Sequence, residues 1–95
     1  MQRAYLVCYD IRDAKRLKRV NQLLKGYGEP WQLSVFYCVL REIDRVRIQA
    51  ELEQTMNLQN DQTLIIDLGA VTAKPPDIGV IGQPLPPQVR GTVLV

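Results

Sequence analysis

One carboxylate, Asp10, stands where an apolar segment of the chain meets a strongly basic one. The five residues before it, YLVCY, favour β-structure and predict a buried strand that ends at the aspartate. A carboxylate at a strand end is accessible, and carboxylate oxygen is a ligand type that Mg²⁺ accepts. Asp10 could therefore contribute to a metal site, or it could be a turn residue or helix cap with no chemical role.

Basic side chains dominate the first part of the chain. Residues 1–25 carry seven Lys or Arg and two Asp, a net charge of +5, whereas residues 26–95 carry five basic and eight acidic residues, a net charge of −3. This asymmetry suggests a polyanion partner, although a solvated helix face is the commoner cause of such a cluster. The candidate nucleic-acid contacts are Arg12, Lys15, Arg16, Lys18 and Arg19.

The absence of histidine from the chain excludes several reaction classes. Ser-His-Asp and Cys-His nucleophiles and zinc sites with a histidine ligand all require that residue. Cys8 and Cys38 lie in strand-like apolar runs, where a free thiol behaves as a small hydrophobe, so neither a disulfide nor a metal pair is expected. A divalent ion at Asp10 is left as the main route to hydrolysis.

Length and composition predict a single domain. The chain has 95 residues, of which 46% are hydrophobic and 23% charged, which is ordinary for a globular protein with one modest core. No apolar run reaches the length of a membrane span, and Met1 leads directly into a strand rather than a signal peptide. We therefore expect a cytoplasmic protein without a membrane partner.

The elements that would position Asp10 follow from the periodicity of the apolar residues. Asp13 can cap a helix, and apolar residues recur after it at spacings of three and four until two glycines stop the pattern. Two strands around a turn at Ser34 predict a hairpin, with Pro30 at a strand start or an edge. The predicted strands cover about residues 4–10, 30–33, 35–40 and 63–68, and the predicted helices follow Asp13 and span residues 43–56.

The order strand, helix, strand, strand, helix, strand predicts an α+β fold of the ferredoxin-like type. Its four-stranded antiparallel sheet would carry both helices on one face. The composition changes near residue 70, because five of the six prolines lie beyond it. We expect a domain over residues 1–69 and an extended arm over residues 70–95. The arm ends in a short strand near Thr92–Val95, which could pair with a partner subunit's sheet edge or fray.

The first predicted strand is apolar on both faces, although the helices can cover only one. Leu6 and Cys8 would lie on one face, and Tyr5, Val7 and Tyr9 on the other. A second subunit related by a two-fold axis would cover the remaining face, so we expect a homodimer. Such a dimer would bring two Asp10 residues towards one axis, where they could hold one hydrated Mg²⁺.

For four further residues we expect a structural role rather than a chemical one. Tyr9, Trp31 and Phe36 are expected in the core or an interface rather than as proton donors or base-stacking platforms. Ser34 is expected as a turn former.

Three stretches occur in a fixed order along the chain: YLVCYDI with Asp10 at the strand end, the basic KRLKRV helix, and the segment from Gly28 to Phe36 that contains SVF. As an ordered set they resemble the CRISPR-associated Cas-two family. The resemblance is clear over residues 4–40 and extends as a pattern over residues 43–68. It implies a ferredoxin-like homodimer that assembles with the Cas-one integrase and serves as a basic platform for duplex DNA while new spacers are inserted into the CRISPR array.

The same resemblance implies that some members are metal-dependent endoribonucleases or DNases, with the strand-end aspartate as the Mg²⁺ ligand. On this resemblance the candidate catalytic residues are Asp10, Tyr9, Ser34 and Phe36. Asp10 corresponds to the metal ligand, and Tyr9, Arg16, Arg19, Ser34 and Phe36 occupy positions near the family's proposed site. Many relatives have a basic residue just before the turn serine, where this chain has PWQL. Three functions are thus open: a DNA scaffold for antiviral defence, a Mg²⁺-dependent nuclease acting on DNA or single-stranded RNA, and a toxin-type ribonuclease of the same fold.

Overall fold

The computed structural model describes residues 1–71, 77–85 and 92–94, the last three by their backbone alone. The rest of the predicted arm lies outside the described residues. The first six elements follow the predicted order. They are β1 (Gln2–Asp10), α1 (Ala14–Lys25), β2 (Gly28–Gln32), β3 (Val35–Arg41), α2 (Glu42–Thr55) and β4 (Gln62–Ala70).

The sheet has the strand order β2-β3-β1-β4 and is antiparallel throughout. β1 is central, and its Val7 lies between Phe36 of β3 and Ile65 of β4, while its Leu6 lies between Tyr37 and Ile66. Since side chains alternate along a strand, these two rows face opposite sides of the sheet. The α+β ferredoxin-like prediction is confirmed.

One face of the sheet forms the core with both helices. Tyr5, Val7 and Tyr9 of β1 are buried there. Apolar residues of the neighbouring elements complete this core, and they are Phe36, Cys38 and Leu40 of β3, Val20 and Leu24 of α1, and Ile48 and Leu52 of α2. Both helices therefore cover a single face, as predicted.

α1 begins as the sequence predicts. The Asp13 carboxylate accepts a hydrogen bond from the Arg16 backbone N–H at 3.0 Å, which satisfies one of the free amides of the first turn. Val20 and Leu24 are fully buried, but Leu17 of the same apolar row is 37% exposed. Leu17 lies one turn closer to the helix start, so it reaches the rim of the core rather than its centre.

α2 has two apolar rows, and the fold buries only one of them. Ile48 and Leu52 lie in the core with Met56 packed against them, whereas Ile43 and Val46 remain exposed. The sequence could not choose between the rows, because each has helical spacing.

The hairpin of β2 and β3 lies at one edge of the sheet, and Pro30 is in the edge strand, as expected. β2 begins at Gly28, two residues before the predicted start. At Gly28 a Cβ atom would overlap Cys38 Sγ and the Tyr37 carbonyl oxygen, so the two backbones approach too closely for any side chain. Gly28 was expected only as a helix stop, and this close approach is a second reason for it.

Two short strands follow the sheet. β5 (Ile78–Val80), which the sequence analysis did not predict, pairs in parallel with β6 (Thr92–Leu94). The predicted terminal strand therefore exists and bonds to β5 of its own chain. Its pairing with a partner's sheet edge stays a prediction. Neither helix of the described chain is long and apolar enough to cross a membrane.

Candidate functional site

Asp10 is the last residue of β1 and lies on the face of the sheet opposite the helices. The strand alternates, so Asp10 shares this face with Leu6 and Cys8, and we call it the open face. The Asp10 side chain is 62% exposed, and its Oδ2 lies 3.4 Å from a guanidinium nitrogen of Arg12. The carboxylate is accessible, as predicted, with one cationic neighbour.

The segment that leaves Asp10 is fixed by a residue that the sequence analysis missed. Asp61 precedes β4, and because β4 is antiparallel to β1, its start lies beside the end of β1. The Arg12 backbone N–H donates to Asp61 Oδ1 at 2.9 Å, and the Asn57 backbone N–H donates to Oδ2 at 2.9 Å. The antiparallel pairing could have indicated this proximity, but an aspartate after asparagines reads first as a loop residue.

Arg16 completes the bonding of Asp61. Its Nε donates to Asp61 Oδ2 at 2.8 Å and a terminal nitrogen donates to Oδ1 at 3.2 Å, a bidentate arrangement. The Asp61 side chain is fully buried and that of Arg16 is 25% exposed. The Arg16 side chain, together with the backbone amides of Arg12 and Asn57, lowers the pKa of Asp61 far below its usual range.

Tyr9 points away from Asp10 into the core. Its hydroxyl donates to the Leu33 carbonyl at 2.9 Å and accepts from the Asn21 amide at 3.0 Å, and its backbone N–H donates to the Ser34 carbonyl at 3.0 Å. Phe36 is fully buried and stacks on Tyr9 with ring centroids 6.3 Å apart.

The structure thus brings Tyr9 and Phe36 together beneath the hairpin turn, which contains Ser34, and places both rings on the opposite face of the sheet from the Asp10 carboxylate. Both hydrogen-bonding functions of the Tyr9 hydroxyl are used in holding β1, α1 and the turn together. Asn21, which the sequence analysis did not single out, contributes one of these bonds. The catalytic assignment of Tyr9, Ser34 and Phe36 stays a prediction.

The exposed face of α1 carries the remaining cations of the predicted nucleic-acid surface. Lys15, Lys18 and Arg19 project into solvent, with Lys25 at the end of the helix. Within the described residues, none of Lys18, Arg19 and Lys25 forms an ion pair. We call Arg12, Lys15, Lys18, Arg19 and Lys25 the basic face. Apart from Arg12, which pairs with Asp10, its cations form no ion pair within the described residues and can meet phosphates.

The donor set for a metal ion is incomplete in one chain. Among the described residues, no three Asp, Glu, Cys or His side chains lie close enough together to hold an ion. Asp10 supplies a single carboxylate, and its nearest charged neighbour is the Arg12 cation. A Mg²⁺ site at Asp10 therefore needs ligands from a second chain or from a substrate.

The open face is apolar beyond β1. Leu64, Ile66 and Leu68 recur at alternate positions of β4 and are 49%, 42% and 46% exposed. Val35, Tyr37 and Val39 of β3 are half-buried on the same face, and Trp31 of β2 stacks on Tyr37 with centroids 4.7 Å apart. A contiguous apolar surface of this kind on a sheet marks an interaction site.

The fold and the site define a small ferredoxin-like protein with a basic first helix, a strand-end carboxylate and an apolar sheet face whose β4 residues are exposed within the described chain. The chain belongs to the CRISPR-associated protein Cas2 family, whose sequence model matches residues 3–74. It is 36% identical over its whole length to the CRISPR-associated endoribonuclease Cas2 of Geobacter sulfurreducens, of which it covers 100%.

Solved structures agree with this assignment. Cas2 of Streptococcus pyogenes aligns with a TM-score of 0.66 at 32% identity, over 70% of this chain and 86% of that one. A hypothetical protein from Thermus thermophilus aligns with a TM-score of 0.72 at 35% identity, over 84% of this chain and 94% of that one. The resemblance stated from the sequence is confirmed.

Proposed function

We propose that the protein is the homodimeric DNA-binding subunit of a spacer-integration complex in CRISPR adaptation. In this role it works with the Cas-one integrase on duplex DNA in the cytoplasm and contributes to antiviral defence. The observation that carries the proposal is the combination of the open face and the basic face on opposite sides of one sheet. The first can hold two subunits together while the second remains accessible to DNA.

The dimer is supported by the apolar open face. Leu64, Ile66 and Leu68 expose between 42% and 49% of their surface, and burying such side chains contributes about 25 cal/mol per Å² of apolar area. Two copies related by a two-fold axis would cover this face without any other partner. The helices, and with them the basic face, would then point outwards from both subunits.

DNA binding is supported by the basic face. Its side chains lie on the first helix and the turn before it, and Lys18, Arg19 and Lys25 are free of ion pairs within the described chain. Each phosphate that the protein neutralises makes the affinity depend more steeply on salt, by about 0.9 log units per log unit of salt. The contacts would be to backbone phosphates and so independent of base sequence.

The test compares two arginines on different helices. Arg19→Gln removes a cation of the basic face, and Arg47→Gln removes an exposed cation of α2. For duplex DNA measured by fluorescence anisotropy across a salt series, we expect Arg19→Gln to reduce the salt slope by about 0.9 for each Arg19 of the dimer that contacts a phosphate, and Arg47→Gln to leave it unchanged. Equal slopes for both variants and the wild type would refute binding through α1. Spacer acquisition with the Cas-one integrase should follow the same ranking.

A second function is favoured by the exposure of Asp10 and by the name endoribonuclease that relatives carry. In a dimer formed through the open face, two Asp10 carboxylates could share one Mg²⁺. Such an ion supplies an activated water and stabilises charge on a scissile phosphate. Asp10 from each chain would hold the ion, and the cations beside it would bind the nucleic acid.

Asp10→Asn separates the two functions. A nuclease that depends on this site should cleave RNA or DNA with Mg²⁺, stop with a chelator and lose its activity in Asp10→Asn. Cleavage that persists in the variant would place the activity elsewhere. The DNA scaffold predicts that Asp10→Asn stays dimeric, binds duplex DNA and supports spacer acquisition, and loss of acquisition in a dimeric variant would contradict it.

A further inference from the structure

The buried contact between Asp61 and Arg16 raises the question of what Arg16 does, because it lies in the row of cations that would meet DNA. Its guanidinium makes two hydrogen bonds to Asp61, at 2.8 and 3.2 Å, and its side chain is only 25% exposed. Arg12 and the lysines of α1 are exposed by comparison. The bidentate N–H donors of Arg16 are thus used for a contact inside the protein.

Asp61 is the point where three segments meet. Its carboxylate accepts from the Arg16 side chain of α1, from the Arg12 amide after β1 and from the Asn57 amide after α2. A buried carboxylate needs such donors, because they replace the hydration that it loses on burial. The contact fixes the segment from Asp10 to Asp13 between the end of β1 and the start of α1.

We infer that Asp61 is a positioning residue for the nucleic-acid surface, and that Arg16 acts through Asp61 rather than by contacting phosphate. The pair holds the backbone of Arg12, whose side chain lies beside Asp10, and sets the direction in which α1 leaves the sheet. The phosphate contacts then come from Arg12, Lys15, Lys18 and Arg19. This inference rests on the proposed DNA binding for its functional part, whereas its structural part can be tested without DNA.

The test of the structural part is backbone hydrogen exchange. Arg16→Lys keeps the positive charge but replaces two parallel N–H donors with one ammonium, so the bidentate contact is lost. We expect the Arg12 amide, which bonds to Asp61, to exchange about tenfold faster or more in this variant, the scale of one hydrogen bond to a charged group. The Tyr9 amide, which bonds to the Ser34 carbonyl, serves as the internal reference and should not change.

The test of the functional part is the salt dependence of duplex DNA binding. In Arg16→Gln with Asp61→Asn, the charge pair is removed together, so no buried charge is left unpaired. We expect this double variant to bind several-fold more weakly with the wild-type salt slope, and Arg19→Gln to have a slope smaller by about 0.9 for each Arg19 of the dimer that contacts a phosphate. A double variant whose slope falls as much as that of Arg19→Gln would show that Arg16 contacts phosphate and would overturn the inference.

Failure of the proposed DNA binding and failure of the positioning role give different experimental results. If the wild-type protein does not bind DNA, the proposed function fails, and the Arg12 exchange rate alone decides whether the pair positions this segment. If DNA binds but the Arg12 amide of Arg16→Lys exchanges at the wild-type rate, the positioning role is wrong while the proposed function stands.

Discussion

At the scale of single residues, the end of β1 gives neighbouring side chains opposite environments. Asp10 is 62% exposed on the open face, whereas Tyr9 is 6% exposed among core residues. The sequence predicted that Asp10 is accessible and that Tyr9 lies in the core or an interface, and the structure places Tyr9 in the core. The sequence did not reveal the partners of the Tyr9 hydroxyl, because Asn21 and Leu33 reach it only through the packing of α1 and the turn.

Tyr9→Phe should destabilise the protein by about 1–2 kcal/mol. The ring and its stacking on Phe36 are kept, but the Asn21 amide loses its acceptor and the Leu33 carbonyl loses its donor. Urea unfolding followed by circular dichroism measures the change. Tyr27→Phe is the control, because it removes only an exposed bond to Glu51 and should change stability by less than about 0.5 kcal/mol. Equal effects of the two variants would contradict a linking role for Tyr9.

Asp61 should make the fold sensitive to acid. Its pKa is lowered in the folded state, chiefly by Arg16, so the unfolded chain takes up a proton first as the pH falls. Its stabilising contribution is complete above the unfolded pKa of about 3.9 and is lost progressively below that value. Thermal unfolding at a series of pH values should show a shallower acid loss for Asp61→Asn than for the wild type. An unchanged slope would mean that the Asp61 carboxylate does not contribute.

At the scale of elements, local patterns predicted the helices and the strands of the sheet, whereas tertiary contacts decided which face of α2 is buried. The Asp13 cap and the apolar row of α1 were sufficient to predict that helix. α2 was predicted, but its orientation was not, because Ile48 and Val46 belong to two apolar rows that both have helical spacing, and only contact with the sheet selects Ile48. β5 was not predicted from the sequence, because its three residues lie in a proline-rich segment and carry almost no periodic pattern.

Gly28→Ala should disturb the hairpin by about 1–3 kcal/mol. The added methyl group would overlap Cys38 Sγ and the Tyr37 carbonyl oxygen, so β2 must move away from β3. Gly26→Ala is the matched control, because its Cβ would meet only the Leu23 carbonyl oxygen, at 3.3 Å, and its backbone is helical. Its stability should lie within about 1 kcal/mol of the wild type. Equal thermal unfolding midpoints for the two variants would contradict the close approach at Gly28.

At the scale of the whole molecule, the sheet separates two surfaces with different chemistry. The helices carry cations outwards, and the open face is apolar with Asp10 at its border. The sequence indicated this division, because an apolar first strand and a basic first helix are visible without coordinates. It did not indicate the role of Asp61, because that role depends on the Arg16 side chain of α1 reaching the start of β4.

The central claim is that two copies of the chain meet through the open face, and sedimentation equilibrium tests it most directly. Ile66→Asp places a charge on that face, and Val46→Asp places one on an exposed apolar site of α2, with circular dichroism confirming that both variants are folded. We expect a molar mass of two chains for the wild type and Val46→Asp, and of one chain for Ile66→Asp. A monomeric wild type, or a dimer that Ile66→Asp leaves intact, would contradict it.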